Sequence, residues 1–196
     1  MSGEGPGTGL PTDGYWVIEG RLMAGTYPGS ESESVARANL EALLDEGVTC
    51  FLDLTEESEG PPLLPYSAQL REVASARNAR VAHLRLPIKD INIPTEWQMK
   101  AILAAIDNAL EADELVYVHC WGGVGRTGTV VGCYLIERED EFGVDREDVH
   151  RHIAELRRNT KRRDRPSPET NTQREFVKNW GSPTEVPLGS DALSGF

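Results

Sequence analysis

A chain of 196 residues, 39% hydrophobic and 27% charged with 19 Gly and 12 Pro, suits one globular domain with loose ends and leaves little room for two full domains. Its 32 acidic against 20 basic residues give a net charge of −12, which opposes general binding to nucleic acid or to anionic membranes. Three widely spaced cysteines, Cys50, Cys120 and Cys133, make a poor disulfide framework and read as reduced thiols. No apolar run reaches the roughly 18 to 20 residues a bilayer span needs, and the opening MSGEGPGTGLPTDG lacks the basic and apolar parts of a signal peptide. The expectation is a monomeric, cytoplasmic protein with neither nucleic-acid nor membrane partner.

Residues 1–13 and 181–196, rich in Gly, Pro, Ser and Thr, are expected to be flexible tails around one domain over 14–180. Tyr15 to Ile18 and Leu22 to Ala24 predict a short hairpin, and Val35 to Glu46 a helix with Leu40, Leu43 and Leu44 on one side, stopped by Gly47. VTCFLDL (48–54), RVAHLRL (80–86) and LVYVH (115–119) predict strands. Glu96 to Leu110 places Met99, Ile102, Leu103, Ile106 and Leu110 on one helical face, with Thr95 and Gln98 as a capping box. Thr127 to Glu139, Arg146 to Arg158 and Pro168 to Trp180 predict three more helices, the last with Ser167 as N-cap and Pro168 in its first position. Strands early and helices late give an α/β fold: a central, mostly parallel sheet flanked by helices, with a helical C-terminal layer.

The stretch His119-Cys120-Trp121-Gly122-Gly123-Val124-Gly125-Arg126-Thr127 follows a strand and opens a helix. Its glycines let backbone N–H groups of residues 121–126 turn inward as an anion-binding nest, and the helix adds the positive end of its dipole. Cys120 at the base of the nest is favoured as thiolate, hence as nucleophile, by those dipoles and by Arg126. Arg126 supplies a planar fork able to grip two phosphoryl oxygens and the charge that grows on them. Thr127 is placed to donate its hydroxyl to the thiolate, and His119 to be buried and hold the loop. A nucleotide P-loop fails here because Arg-Thr stands where Lys-Ser/Thr is needed. Zinc fails because the three cysteines, even with His150 and His152, lack paired ligand spacing, so neither metal nor cofactor is expected.

His119-Cys120-x5-Arg126-Thr127 between strand and helix resembles the signature loop of the cysteine-dependent protein tyrosine phosphatase superfamily, and a late loop in a short chain is similar to its dual-specificity (atypical) branch. The low-molecular-weight branch, with its Cys near the N-terminus, fits less well. The resemblance implies a tyrosine-phosphatase-like fold and metal-independent hydrolysis of phosphomonoesters through a phosphocysteine, with a phosphorylated protein as substrate. It also implies that Asp90, in the loop 87–94 between strand and helix, is the general acid, and that Gln173 positions the hydrolytic water. Asp53 is a weaker competitor for the acid, since strand-end Asp residues commonly cap turns. Some relatives protect the nucleophile by a disulfide with a strand cysteine, so Cys50 reads either as core packing or as such a partner, whereas Cys133 sits among Val130, Val131, Tyr134 and Leu135 as a core thiol.

Two rival readings stand. The first is a phosphatase of phosphoinositides, inositol phosphates or RNA 5′-ends, against which the loop counts by having no basic residue between Cys120 and Arg126. The second is a phospho-binding module without turnover, against which the intact Cys120, Arg126 and Asp90 count. Glu56 and Glu57 read as a solvated loop. Arg157, Arg158, Lys161, Arg162, Arg163 and Arg165 form a basic run with one acid, Asp164, either a solvated loop or a rim that attracts acidic or multiply phosphorylated substrates.

Overall fold

The structure, a computed structural model, describes residues 10–57, 59 and 64–182. Of the two expected tails, 1–9 and 183–196 lie outside the described residues. Leu10 to Asp13 do not behave as a tail. They form a 3-10 turn over Pro11–Asp13, with Leu10 bridging Gly14 and Thr12 Oγ1 2.6 Å from the Tyr117 hydroxyl.

A five-stranded sheet runs in the order β1-β2-β5-β3-β4, with β1 (Tyr15–Ile18), β2 (Leu22–Gly25), β3 (Cys50–Asp53), β4 (Ala82–Arg85) and β5 (Val116–His119). β1 is antiparallel to β2, and every other pair is parallel. The three central strands are buried on both faces, which is why their sequences read as unbroken apolar runs. Alternation divides them: Leu22, Ala24, Cys50, Leu52, Val116 and Val118 enter one core, Met23, Phe51 and Tyr117 the other. β4 closes one edge half-exposed, with His83 and Arg85 on it, a charged edge that discourages pairing with another chain.

Helices α3 (Glu96–Glu111), α4 (Gly125–Glu137), α6 (Val149–Leu156) and α7 (Asn171–Lys178) cover the first face through Ile102, Ile106, Val131, Ile153 and Val177. The second is covered by α1 (Glu33–Asp45) and α2 (Ser67–Ala76) through Leu40, Leu43 and Leu70. α2 was not expected from the sequence, and the single turn α5 (Glu139–Phe142) takes the end of what reads as one helix to Glu139. The helix expected over Pro168 to Trp180 with Ser167 as cap is corrected. Ser167 Oγ instead donates to the Val124 carbonyl at 2.7 Å, the Ser167–Pro168 peptide is cis, and α7 begins three residues later behind Thr170. α7 lies tightly on α4 because Gly132 has no Cβ, which would come within 2.6 Å of Val177. No helix among the described residues is long and apolar enough to cross a membrane.

Candidate active site

Parallel strands end on one edge, so the loops after β2, β3, β4 and β5 meet there. β5 hands its last residue, His119, directly to Cys120. The loop that follows leans on the chain after β2: Tyr27 N–H donates to Trp121 O at 3.0 Å, and Gly123, at φ +65°, lies so close to Gly25 that a Cβ would stand 2.7 Å from its backbone. α4 then starts at Gly125 with no side chain capping it, which leaves its first amides for an anion. Cys120, Gly122, Val124, Gly125 and Arg126 line one cavity of about 300 Å³, with Asp90 and Gln173 opposite and Trp121, 47% exposed, at its lip.

Arg126 is almost wholly buried, so its charge needs partners. Glu59 binds both Nη1 and Nη2, Nη2 lies 3.0 Å from an Asp90 oxygen, and Nη1 also donates to the carbonyls of Ile88 at 3.1 Å and Leu54 at 3.4 Å. Nε, also buried, has no partner among the described residues. Glu59 is the site residue that sequence reasoning missed, in the loop read as solvated. A buried arginine announces that a carboxylate must meet it, but the sequence does not say which of several acids does.

His119 is fully buried between Tyr66 and Tyr117. Its Nδ1 is 3.3 Å from the Cys120 carbonyl, which can only accept, so Nδ1 carries the proton and Nε2 accepts from the Tyr66 hydroxyl at 2.7 Å. Burial pushes its pKa down to about 4, so it is neutral at physiological pH and acts as a strut of the loop. Thr127 Oγ1 is buried without a partner among the described residues, so the expected bond to Cys120 is not made.

Asp90 occupies the lip formed after β4, beside Ile91, a β-branched residue held at φ +61° with its side chain exposed. Such a backbone costs about 1–3 kcal/mol and is commonest at functional sites. Asp53, the competitor, is fully buried and bonded to Arg85 at 3.2 Å, His83 at 3.3 Å and Thr55 at 2.6 Å. Burial alone would raise its pKa. The bonds from His83 and Thr55 and the nearby His119 outweigh that and hold it well below the carboxylate range, an ionised anchor outside the cavity.

Gln173, the third residue of α7, is buried with its amide between two loops. Its Nε2 donates to Asn92 O at 3.0 Å, beyond Asp90, and its side chain stands over Gly125, where a Cβ would meet its oxygen at 3.2 Å. Of the two readings of Cys50, the structure supports packing in the core and not the protective disulfide. The register sets Cys50 opposite Val116, four residues before Cys120, on the order of 13 Å along the sheet at about 3.3 Å per residue. A disulfide needs Cα atoms within about 7 Å. Cys133 is buried in the core, as read. The basic run is not uniformly solvated: Arg157 is 2% exposed, while Arg162 and Arg165 reach the cavity. Among the described residues no group of three or more His, Cys, Asp or Glu is placed to hold a metal ion.

A family model described as polymorphic toxin system, DSP-PTPase phosphatase, matches residues 25–140, which include Asp90, Cys120 and Arg126 and stop short of Gln173 and the basic run. The tyrosine-protein phosphatase cdc-14 of Caenorhabditis elegans is 24% identical over 132 residues, 67% of this chain and 17% of that protein. The phosphatidylinositol 3,4,5-trisphosphate 3-phosphatase cnrN of Dictyostelium discoideum is 36% identical over 81 residues, 40% of this chain and 12% of that protein. The chain thus spans less than a fifth of the length of either relative. Among solved structures, kinase associated phosphatase with its catalytic cysteine changed to serine superposes with a TM-score of 0.63 at 16% identity, covering 88% of this chain and 94% of that one.

Proposed function

This chain belongs to the DSP-PTPase phosphatase family of polymorphic toxin systems, and from that premise we propose a metal-independent phosphomonoester hydrolase that acts on phosphorylated protein through a phosphocysteine. Cys120 Sγ attacks phosphorus in line with the departing oxygen, and the S–P bond forms as the P–O bond breaks. Asp90 gives its proton to the leaving oxygen. Water held by Gln173 then attacks the phosphocysteine, returning a proton to Asp90 and releasing inorganic phosphate and the thiolate.

The observation that carries this reading is the state of Arg126. Glu59 holds it along the edge of its two terminal nitrogens, and its Nε is buried with no partner among the described residues. A phosphoryl dianion accepting from Nε and Nη2 satisfies that orphan and displaces the Asp90 carboxylate from Nη2, returning Asp90 toward the leaving group. The N–H groups of Trp121 to Arg126 take the remaining oxygens.

For the substrate, the loop residues Trp121 to Gly125 carry no positive charge, which favours a phosphorylated side chain, phosphotyrosine or phosphoserine/threonine, over a polyphosphorylated lipid headgroup. The reading extends to a cytoplasmic monomer without nucleic-acid partner: Cys50, Cys120 and Cys133 are all free thiols, and the chain carries a net charge of −12.

The test is phosphate release from para-nitrophenyl phosphate and from a phosphotyrosine peptide in EDTA. Cys120→Ser is expected to abolish it, and Asp90→Asn to lower kcat by about a hundredfold on the peptide and less on the nitrophenyl ester, whose leaving group needs no proton. Turnover that survives Cys120→Ser, or that EDTA removes, would overturn the mechanism.

A further inference from the structure

A peptide unit is planar and trans, so a donor that holds its carbonyl oxygen on one side sends its N–H to the other. Four carbonyls of the signature loop are held by such donors. Cys120 O faces His119 Nδ1 at 3.3 Å, Trp121 O accepts from the Tyr27 amide at 3.0 Å, Gly122 O from Arg162 Nη1 at 3.0 Å and Val124 O from Ser167 Oγ at 2.7 Å. The amides that follow them, those of Trp121, Gly122, Gly123 and Gly125, are thereby turned the opposite way.

Ser167 stands apart among these donors. It is buried, it is not among the residues that line the catalytic cavity, and its hydroxyl is spent on Val124 O. That oxygen also accepts the Gly128 amide at 3.2 Å, and a carbonyl has lone pairs for both. Val124 and Gly125 share the peptide unit at which the loop becomes α4, so the tilt of this unit decides where the first helical amide points. The sequence keeps space for the hydroxyl. A Cβ on Gly128 would stand 2.2 Å from Ser167 Oγ and 3.2 Å from Pro168 Cα.

We propose that Ser167 is a positioning residue of the phosphate nest: by holding the Val124 carbonyl it aims the Gly125 N–H at the phosphoryl oxygens, and Gly128 leaves the room in which it does so. The inference rests on the phosphatase reading above and adds to it a residue that acts through another and does not touch substrate. Without the hydroxyl, Val124 O keeps only the Gly128 bond and the peptide unit loses one of its two restraints. The equatorial oxygens draw most on a well-aimed donor when their charge peaks, so misaiming costs the transition state more than the bound substrate.

The experiment compares the full chain with Ser167→Ala and with Gly128→Ala, which keeps the serine but sets a methyl group against its hydroxyl. Orthovanadate, whose five-coordinate adduct with a thiolate imitates the transition state, is titrated against hydrolysis of para-nitrophenyl phosphate. Its Ki does not depend on how much of the sample is folded, so a merely structural loss leaves it unchanged. Ser167→Ala is expected to raise this Ki about tenfold and to lower kcat about tenfold with KM within about twofold, and Gly128→Ala to raise the Ki at least as much. A Ki for Ser167→Ala within about twofold of wild type overturns the proposal, whatever its kcat. Gly128→Ala decides by the same criterion if Ser167→Ala yields no folded protein. If wild type shows no hydrolysis, the phosphatase reading fails alone, and calorimetric binding of orthovanadate to wild type and Ser167→Ala applies the same two thresholds to the proposal.

Discussion

His119 is the residue on which folding and chemistry meet, since it holds the Cys120 carbonyl with one nitrogen and the Tyr66 hydroxyl with the other. Its folded pKa, lowered by burial to about 4, lies below the roughly 6.5 of an unfolded imidazole. Between those values the unfolded chain binds the extra proton, so stability falls as pH falls, and above about 6.5 this residue adds no pH dependence. Asp53 acts lower down: its depressed carboxyl stabilises the fold above about pH 4, and that contribution is lost as pH falls further. Thermal midpoints are therefore expected to be flat from pH 8 to 7 and to fall from pH 6.5 to 4.5, with a loss on the order of 3 kcal/mol across the His119 window. An unchanged midpoint at pH 4.5 would mean the imidazole is not buried as described. Residue identities at the signature loop were legible because a Cys, glycines and an Arg at fixed spacing have few other uses. The partners Tyr66 and Glu59 were not, because each comes from a distant stretch of chain whose own pattern says nothing about where it lands.

Two helices open with the same device. Thr95 and Gln98 cap α3, and Thr170 and Gln173 cap α7, in each case with the Thr hydroxyl accepting the Gln amide and the Gln side chain accepting the Thr amide. The first box was read from sequence because α3 carries its apolar stripe for four turns behind it. The second was hidden because Pro168 imitates a first helical position and α7 has only eight residues of its own. In α3 the box is structural, and in α7 its glutamine reaches across to Asn92 and the loop of Asp90. Thr95→Ala is accordingly expected to cost about 1 kcal/mol and leave kcat unchanged. Thr170→Ala should cost about as much stability and in addition lower kcat about fivefold, since a looser first turn misplaces Gln173. Equal kcat in the two variants, by steady-state kinetics beside urea melts, would remove Gln173 from the positioning of the acid loop or of water.

At the scale of the whole molecule, the sheet keeps reactive sulfur in one place. Cys50 stands at the far end of β3 from the site, and burial, with Glu114 nearby, pushes its pKa up to about 11, so it stays a protonated, poorly reactive thiol. Peroxide is expected to inactivate the enzyme at Cys120 without forming a Cys50–Cys120 disulfide, and Cys50→Ser to be inactivated and recovered by thiol at wild-type rates. Peptide mapping without reductant decides this, and a crosslinked pair would require the strand register to be wrong. The sheet itself was legible because strands buried on both faces must be apolar throughout, and the hairpin and the helices α1 and α3 follow from where those runs stop, whereas α2 was not read. What the sequence hid was the burial of charge: Arg157 looks like any surface arginine until the carbonyls of Arg162 and Arg165 are in place around it.

The shared edge at which the parallel strands end divides labour among the loops. The proposed nucleophile and phosphate cradle follow β5, the proposed acid follows β4, and the carboxylate partner of Arg126 follows β3. Strand pairing is fixed by backbone hydrogen bonds and inward apolar side chains that none of these loops supplies. New substrate preferences are therefore reachable by rewriting one loop at a time while the hydrolytic machinery stays put, a modularity that lets one scaffold diversify its targets without refolding.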